Sequence, residues 1–147
     1  MKCKFCEVAQ GKREKENVIL EDGEHIAFLD VFPIYKGQIL VIPKKHVGGL
    51  DLFKLKDRQY ADLMLFAKKV ERKIRLALKP QFVCLVVEGT GVNHLHVKLY
   101  PIINVKKWAE KRPKKLMPYL GYLATWLGPR AEKNELIKLA EKIKKAI

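Results

Sequence analysis

The chain has 147 residues, 48% hydrophobic and 31% charged, which predicts one globular domain with its own core and excludes a disordered chain. Thirty lysines and arginines outnumber sixteen acidic residues, and the resulting net charge of +14 suits partners that carry phosphate. The chain contains no serine, so every mechanism that needs a serine nucleophile is excluded and covalent chemistry must use another side chain.

The amino-terminal residues hold a Cys-x-x-Cys pair and no recognisable targeting signal. Cys3 and Cys6 lie among charged and aromatic residues, without the apolar stretch of a signal peptide. No apolar run in the chain approaches the ~20 residues that span a bilayer. We therefore predict a cytoplasmic protein with no membrane partner. In a reducing compartment the two cysteines are either metal ligands or an inert pair, and not a disulfide.

The first two thirds of the chain predict two groups of strands around a long helix. Apolar runs bounded by turn residues predict strands over Val18–Leu20, Ile26–Val31, Gln38–Ile42, Phe82–Val87 and His94–Tyr100. Asp22 and Gly23 give a hairpin signal between the first two. Apolar residues at helical spacing predict a helix from about Leu55 to Leu78, which Pro80 ends.

The last third is more basic and less regular. Ala131–Ile147 predicts an amphipathic helix, Lys106–Arg112 a short helix, and Leu116–Leu127 has a mixed pattern. Lys106–Lys115 contains six cations and one acid, which we interpret as solvated surface in preference to a nucleic-acid contact. The order of elements predicts an α+β fold, a single domain over residues 1–147 built on an antiparallel sheet.

The sharpest feature is a row of functional side chains on the last predicted strand. Alternate residues of a strand share a face, so His94, His96 and Lys98 would lie about 6.6 Å apart per step, while Leu95, Val97 and Leu99 would face the core. Two imidazoles and an ammonium on one face, just after two glycines, predict an anion site. The alternative is an ordinary strand with a polar, solvated face.

Ligand counting gives a second candidate site. A structural zinc ion needs four ligands, so Cys3 and Cys6 require two more. His25 lies alone in an early strand, whereas His46 follows Pro-Lys-Lys in a loop after a strand. His46 and His94 would complete a Cys₂His₂ set that is closed to substrate.

These residues together resemble the histidine triad (HIT) superfamily of nucleotide hydrolases and nucleotidyl transferases. The likeness includes Cys3-x-x-Cys6, His25-Ile-Ala-Phe-Leu-Asp-Val31, Gly37-Gln-Ile-Leu-Val-Ile-Pro-Lys-Lys-His46 and Gly91-Val-Asn-His-Leu-His-Val-Lys98. It implies a HIT-like antiparallel sheet with a long central helix and a C-terminal helix. It also implies a homodimer, because family members commonly pair through the long helix and a strand.

The resemblance implies a role for each matched residue. The position of His96 is the family's nucleophile, which attacks the α-phosphorus and forms a nucleotidyl-histidine intermediate. His94 would orient it and, as in zinc-bearing members, join Cys3, Cys6 and His46 on a structural zinc ion. Asp30 matches the acid that binds the ribose, with Phe28 and Val31 near the base. Thr90 and Gly91 lie in the phosphate-contacting loop, where Thr90 stands in for a serine of some relatives.

The third triad position departs from the family. Lys98 occupies it, where the hydrolase branch has histidine and the transferase branch usually glutamine. Lysine keeps a cation beside the α-phosphate but cannot accept a hydrogen bond while it is protonated.

We therefore predict an enzyme, a HIT-family nucleotide hydrolase or nucleotidyl transferase that acts on a nucleotide conjugate, with an adenine nucleotide favoured. The alternative is a catalytically impaired, zinc-stabilised module that binds a nucleotide, or RNA through Lys106–Lys115. A purely structural zinc domain is the third interpretation.

Overall fold

In the part of the chain that the structure describes, five antiparallel strands form one sheet. The computed structural model describes residues 3–104 and 127–146. Within these residues the sheet has the strand order β1-β2-β3-β5-β4. The strands are β1 Val18–Glu21, β2 His25–Leu29, β3 Ile39–Pro43, β4 Phe82–Glu88 and β5 His96–Ile102.

The described residues also form three α-helices: α1 Lys4–Ala9, α2 Asp57–Leu78 and α3 Lys133–Lys144. Two single-turn 3₁₀ helices, Lys15–Asn17 and Leu52–Lys54, precede β1 and α2. The predicted α+β fold with an antiparallel sheet, a long helix and a C-terminal helix is confirmed. No helix in the described part of the chain is long and apolar enough to cross a membrane.

The turn residues act where the sequence predicts. Asp22 Oδ1 accepts hydrogen bonds from the backbone N–H groups of Glu24 at 2.8 Å and His25 at 2.7 Å, which closes the β1–β2 turn. Helix α2 ends when Lys79 adopts a left-handed conformation, with φ of 48°, and donates its N–H to the Arg75 carbonyl. Pro80 follows directly and cannot continue the helix.

One face of the sheet packs against α2 and α3. Alternate residues of the central strands point to this face, as the period of two requires. They meet the apolar stripes of both helices in the main core: Ala27, Leu29, Ile39, Val41, Leu63, Phe66, Val70, Ile74, Val97, Leu99, Leu136, Ala140 and Ile143. Burial of this core supplies most of the driving force that orders the sheet.

The opposite face carries the candidate site residues and is covered in part by α1. There Val8 and Phe5 pack on a smaller apolar cluster that includes Phe28 and Leu40. In the register of the sheet, Leu40 lies opposite both Phe28 and Lys98. Helix α1 was not predicted from the sequence, because six residues are too few to show a helical period.

Strand β5 corrects one sequence-based expectation. The strand begins at His96 and includes Pro101, whereas the prediction placed it over His94–Tyr100. His94 precedes the strand in a loop, so the three polar residues do not form one row on a strand. Their neighbours Leu95, Val97 and Leu99 do face the main core as predicted. Apart from Leu127, the patterns predicted for Lys106–Arg112 and Leu116–Leu127 lie outside the described residues.

Candidate functional site

A cavity of about 310 Å³ lies between α1, the end of β2 and the β4–β5 loop. Its volume is at the lower end of the range for small-molecule sites. Seven residues singled out from the sequence line it: Phe28, Asp30, Val31, Thr90, Gly91, His96 and Lys98. The fold therefore brings the predicted phosphate-binding and nucleoside-binding residues to one place, although they come from separate parts of the chain.

His96 lies at the floor of this cavity with its imidazole fixed in one orientation. Its Nδ1 is 2.7 Å from the carbonyl oxygen of His94. A carbonyl only accepts, so Nδ1 carries the proton and Nε2 keeps its lone pair in the neutral ring. Burial lowers the pKa of His96, and the nearby charge of Lys98 acts in the same direction. The arrangement favours a neutral imidazole whose Nε2 can act as a nucleophile.

Lys98 contributes a buried ammonium group beside this imidazole. Its Nζ lies 2.6 Å from Oε1 of Glu88, and the side chains are 6% and 13% exposed. The same Oε1 lies 3.5 Å from His96 Nε2 and accepts a hydrogen bond of 3.0 Å from the Thr90 hydroxyl. Burial alone would raise the pKa of Glu88, but the hydrogen bond and charge of Lys98 outweigh it and the pKa is lowered. Glu88 is therefore an ionised partner of Lys98 at neutral pH.

The other half of the cavity contains the residues predicted to bind the nucleoside. Phe28 is buried on its wall, next to Val31. Asp30 accepts hydrogen bonds from the Phe32 N–H at 2.8 Å and the Gln38 side-chain amide at 2.6 Å. Burial raises the pKa of Asp30, because a carboxylate that is removed from water loses the hydration that stabilises its charged form.

Four potential metal ligands converge next to the cavity. The ligand atoms of Cys3, Cys6, His46 and His94 all lie within 4.8 Å of one another. His94 Nδ1 is 3.4 Å from Cys3 Sγ and 3.6 Å from Cys6 Sγ, and His46 Nδ1 is 3.4 Å from Cys6 Sγ. Ligand atoms around a tetrahedral zinc ion are separated by roughly 3.3–3.8 Å. The donor set and its spacing therefore fit a zinc ion.

The second ring nitrogen of His94 supports the same interpretation. His94 Nε2 lies 2.9 Å from the Pro43 carbonyl oxygen, so Nε2 carries the proton and Nδ1 turns its lone pair towards the two sulfurs. Metal-bound histidines commonly donate their other N–H to a carbonyl in this way. Burial lowers the pKa of His94, which keeps the ring in the neutral form that a metal requires.

Phe5 connects the cysteine pair to the cavity. It lies between Cys3 and Cys6 in sequence, and its ring makes edge contacts with Phe28, His94 and His96 at centroid distances of 5.6, 5.9 and 5.3 Å. One side chain of α1 thus touches the predicted base subsite, a predicted metal ligand and the predicted nucleophile. The position of α1 consequently affects the shape of the cavity.

Two loops hold the reactive residues in place. The backbones of Gly49 and Gly89 approach so closely that a Cβ on either would overlap the other. The Gly49 N–H donates to the Asn93 side chain at 2.9 Å, and the Leu95 N–H donates to the Val47 carbonyl at 2.8 Å. The loop after His46 therefore fixes the loop that carries Thr90 and leads to His94.

Sequence reasoning missed three residues of the site: Phe5, Gln38 and Glu88. In the sequence Glu88 follows an apolar strand and resembles the first residue of a loop. Only the pairing of β4 with β5, which places Glu88 opposite His96, reveals that the two side chains are close. Gln38 is the first residue of a predicted strand, and nothing in the sequence indicates that its amide donates to Asp30. Phe5 could be expected near the site only because it is a large apolar residue between two cysteines.

The catalytic and binding roles of the lining residues stay predictions, and so does the single-domain boundary of 1–147. The alternative of RNA binding depends on Lys106–Lys115, which lie outside the described residues. His25 is not part of either cluster. It is buried on the other face of the sheet, where its ring stacks on Phe66 at 5.3 Å.

Comparison with known proteins identifies similar chains. The family model for the HIT domain matches residues 12–101. An uncharacterized HIT-like protein of Mycoplasma genitalium is 34% identical over 105 residues, which cover 67% of this chain and 72% of the relative. An adenosine 5'-monophosphoramidase of Schizosaccharomyces pombe is 36% identical over 107 residues, covering 69% of this chain and 74% of the relative.

The fold also matches solved structures. A zinc-bound histidine triad family protein from Mycobacterium smegmatis superposes with a TM-score of 0.73, covering 99% of this chain and 93% of that one at 22% identity. At that identity the likeness concerns the fold alone. The family model covers the segment that contains Asp30, His46 and the His94–Lys98 stretch.

Proposed function

This chain belongs to the HIT domain family, and from that membership we propose that it cleaves nucleotide conjugates at the α-phosphate through a covalent intermediate on His96. The observation that carries the proposal is the orientation of His96. Its Nδ1 donates a hydrogen bond of 2.7 Å to the His94 carbonyl. Nε2 therefore keeps its lone pair and is the nucleophilic atom of this residue, which lines the cavity. Lys98 and the predicted nucleoside subsite lie beside it.

The reaction proceeds in two displacements. In the first, the Nε2 lone pair forms a bond to the α-phosphorus, the bond to the leaving group breaks, and the leaving group departs with the electron pair; a nitrogen leaving group also takes up a proton from solvent as it departs. In the second, water or another acceptor forms an oxygen–phosphorus bond, the Nε2–phosphorus bond breaks, and the acceptor's proton passes to solvent. Lys98 stabilises the negative charge that develops on the phosphoryl oxygens in both steps.

We propose an adenine nucleotide as the substrate, held by its nucleoside half. Asp30 accepts hydrogen bonds from the ribose hydroxyls, and Phe28 and Val31 contact the base. Thr90 and Gly91 lie in the loop that borders the phosphate. The monophosphoramidase activity of the Schizosaccharomyces pombe relative supports an adenylyl group and a nitrogen leaving group as the first conjugate to test.

We propose that Cys3, Cys6, His46 and His94 hold a structural zinc ion. A bound zinc ion would cross-link α1 to the loops that carry His46 and His94, and would balance the charge of the two thiolates. It takes no part in the chemistry, since the four protein ligands fill a tetrahedral shell. His94 positions His96 through its own backbone carbonyl. Phe5 is held against the imidazole of His96 by α1, which Cys3 precedes and which contains Cys6.

We further propose a homodimer in the cytoplasm. Three free cysteines suit a reducing compartment. In the described sheet β4 is an edge strand that pairs with β5 alone. It exposes Phe82 at 38% and Leu85 at 43%, and a long apolar edge of this kind is commonly covered by a second chain.

The test is incubation with a panel of adenylyl, guanylyl and uridylyl conjugates, followed by product analysis and intact mass after rapid quenching. We expect turnover of an adenylyl phosphoramidate and a mass gain of one adenylyl group. His96→Ala should lose both the turnover and the mass gain, because no other described residue places a nucleophile at that position. His25→Gln, a histidine on the other face of the sheet, is the matched control. Undiminished turnover by a folded His96→Ala protein would refute the mechanism.

A further inference from the structure

Glu88 places one carboxylate oxygen where the proposed reaction needs a phosphoryl oxygen. Lys98 Nζ lies 2.6 Å from Glu88 Oε1, the Thr90 hydroxyl donates to it at 3.0 Å, and His96 Nε2 is 3.5 Å away. The proposed function assigns each of these groups to the α-phosphate. The carboxylate therefore occupies the position that the proposed reaction assigns to an anionic phosphoryl oxygen.

This carboxylate is held close to the site by its backbone. Gly89 packs against Gly49 without space for a side chain, and β4 pairs with β5 up to Glu88 itself. An entering phosphate can displace the Glu88 side chain by rotation but cannot move its Cα away. A negative charge consequently stays within a few ångströms of any bound phosphate and beside the ammonium group of Lys98, whereas Lys4, Arg13 and Arg130 line other parts of the cavity.

The charge of the phosphate differs before and after the reaction. The α-phosphate of a conjugate is bonded to two groups and carries one negative charge. The phosphate of a nucleoside monophosphate is bonded to one group and carries nearly two, because its second pKa is about 6. Repulsion by a fixed carboxylate grows with the charge of its neighbour, so it acts more strongly on the product than on the substrate.

We propose that Glu88 is the specificity-determining residue of this site and discriminates by charge, favouring a singly charged α-phosphate over the doubly charged monophosphate product. The inference rests on the proposed function and deepens it. Lys98 alone would bind both forms and hold the dianion more tightly, which would slow product release. The pair of Glu88 and Lys98 is neutral, so it retains a hydrogen-bond donor for the phosphate without a surplus of positive charge.

Glu88→Gln tests the proposal, because it keeps the shape and the acceptor oxygen and removes the charge. Titration calorimetry at pH 7.5 compares adenosine 5'-monophosphate with its singly charged methyl ester. We expect the variant to lower the dissociation constant of the monophosphate on the order of tenfold and that of the methyl ester about threefold. In turnover assays the inhibition constant of the product should fall by more than the KM of the substrate.

Two further variants separate charge from structure. Glu16→Gln removes the carboxylate from another lysine pair, whose atoms are 2.7 Å apart, and should leave both affinities unchanged. Glu88→Asp keeps the charge on a shorter side chain and should keep the wild-type ratio of the two dissociation constants. Thermal unfolding of each variant verifies that it is folded.

The outcomes distinguish this inference from the function on which it rests. If Glu88→Gln lowers both dissociation constants by the same factor, charge discrimination is overturned. It is also overturned if Glu88→Asp changes the ratio of the two dissociation constants as Glu88→Gln does. If the wild type turns over no conjugate, the proposed reaction fails, and the ratio of dissociation constants still tests Glu88. Failure of the wild type and all variants to bind either nucleotide would overturn both.

Discussion

Gly89 illustrates how a single residue determines the geometry of the site. It lies between Glu88 and Thr90, and its backbone contacts Gly49 without space for a methyl group. Glu88 and the loop to His94 therefore keep their positions only while both residues are glycine. Neither glycine has an unusual requirement for positive φ, so the constraint is close packing and not backbone conformation.

We expect Gly89→Ala to destabilise the fold by roughly 1–3 kcal/mol, the usual cost of overpacking, and to lower turnover because Glu88 and His96 lose their relative placement. Chemical denaturation measures the first effect and the conjugate assay the second. Gly23→Ala is the control, since a Cβ there meets nothing within 4 Å. A Gly89→Ala protein with wild-type stability would show that the two loops separate freely.

At the scale of elements, α1 depends on its surroundings for its existence. Its six residues are too few to be helical alone. Contacts of Phe5 and Val8 with the sheet stabilise it, and the proposed metal adds a cross-link to His46 and His94. Loss of the metal would release α1 and with it the Phe5 wall of the cavity.

We expect the purified protein to contain stoichiometric zinc, and Cys6→Ala to lose it and unfold at a lower temperature, because metal binding free energy contributes to folding. Elemental analysis and calorimetry measure the two effects. Cys84→Ala is the matched control, since Cys84 lies on β4 outside the ligand cluster. Full zinc occupancy in Cys6→Ala would exclude the proposed ligand set.

At the scale of the whole molecule, β4 offers a surface for a second copy of the chain. Replacing Leu85 by Glu places a charge on the exposed edge, and we expect it to convert a dimer into a monomer, because burial of that charge against a partner strand is unfavourable. Sedimentation velocity measures the mass. Leu50→Glu, at a loop position 78% exposed, should leave assembly unchanged. A monomeric wild type would remove the basis for the proposal.

The sequence predicted the architecture well where the pattern is local. Strands bounded by Asp22–Gly23 and Pro43, and a helix with a sustained apolar period, follow from neighbours in the chain. The positions of His96 and Lys98 follow from the same alternation. The roles of Glu88 and Gln38 did not, because they depend on side-chain contacts with residues of a neighbouring strand or loop, which local patterns do not show. Helix α1 did not, because it packs on residues far away in sequence. His94 lies outside β5, because the Val47 carbonyl takes the Leu95 N–H in place of a strand partner.

The contact between Cys3 and His94 joins residues 91 positions apart. A ribosome releases the amino terminus first, so the cysteine pair emerges long before the histidine that completes its cluster. Contacts between distant segments also form late, because the entropy of closing a long loop must be overcome first. We therefore expect α1 to dock last. Until then the two thiols are exposed, and the newly made chain is most sensitive to oxidants and stray metal ions during that interval.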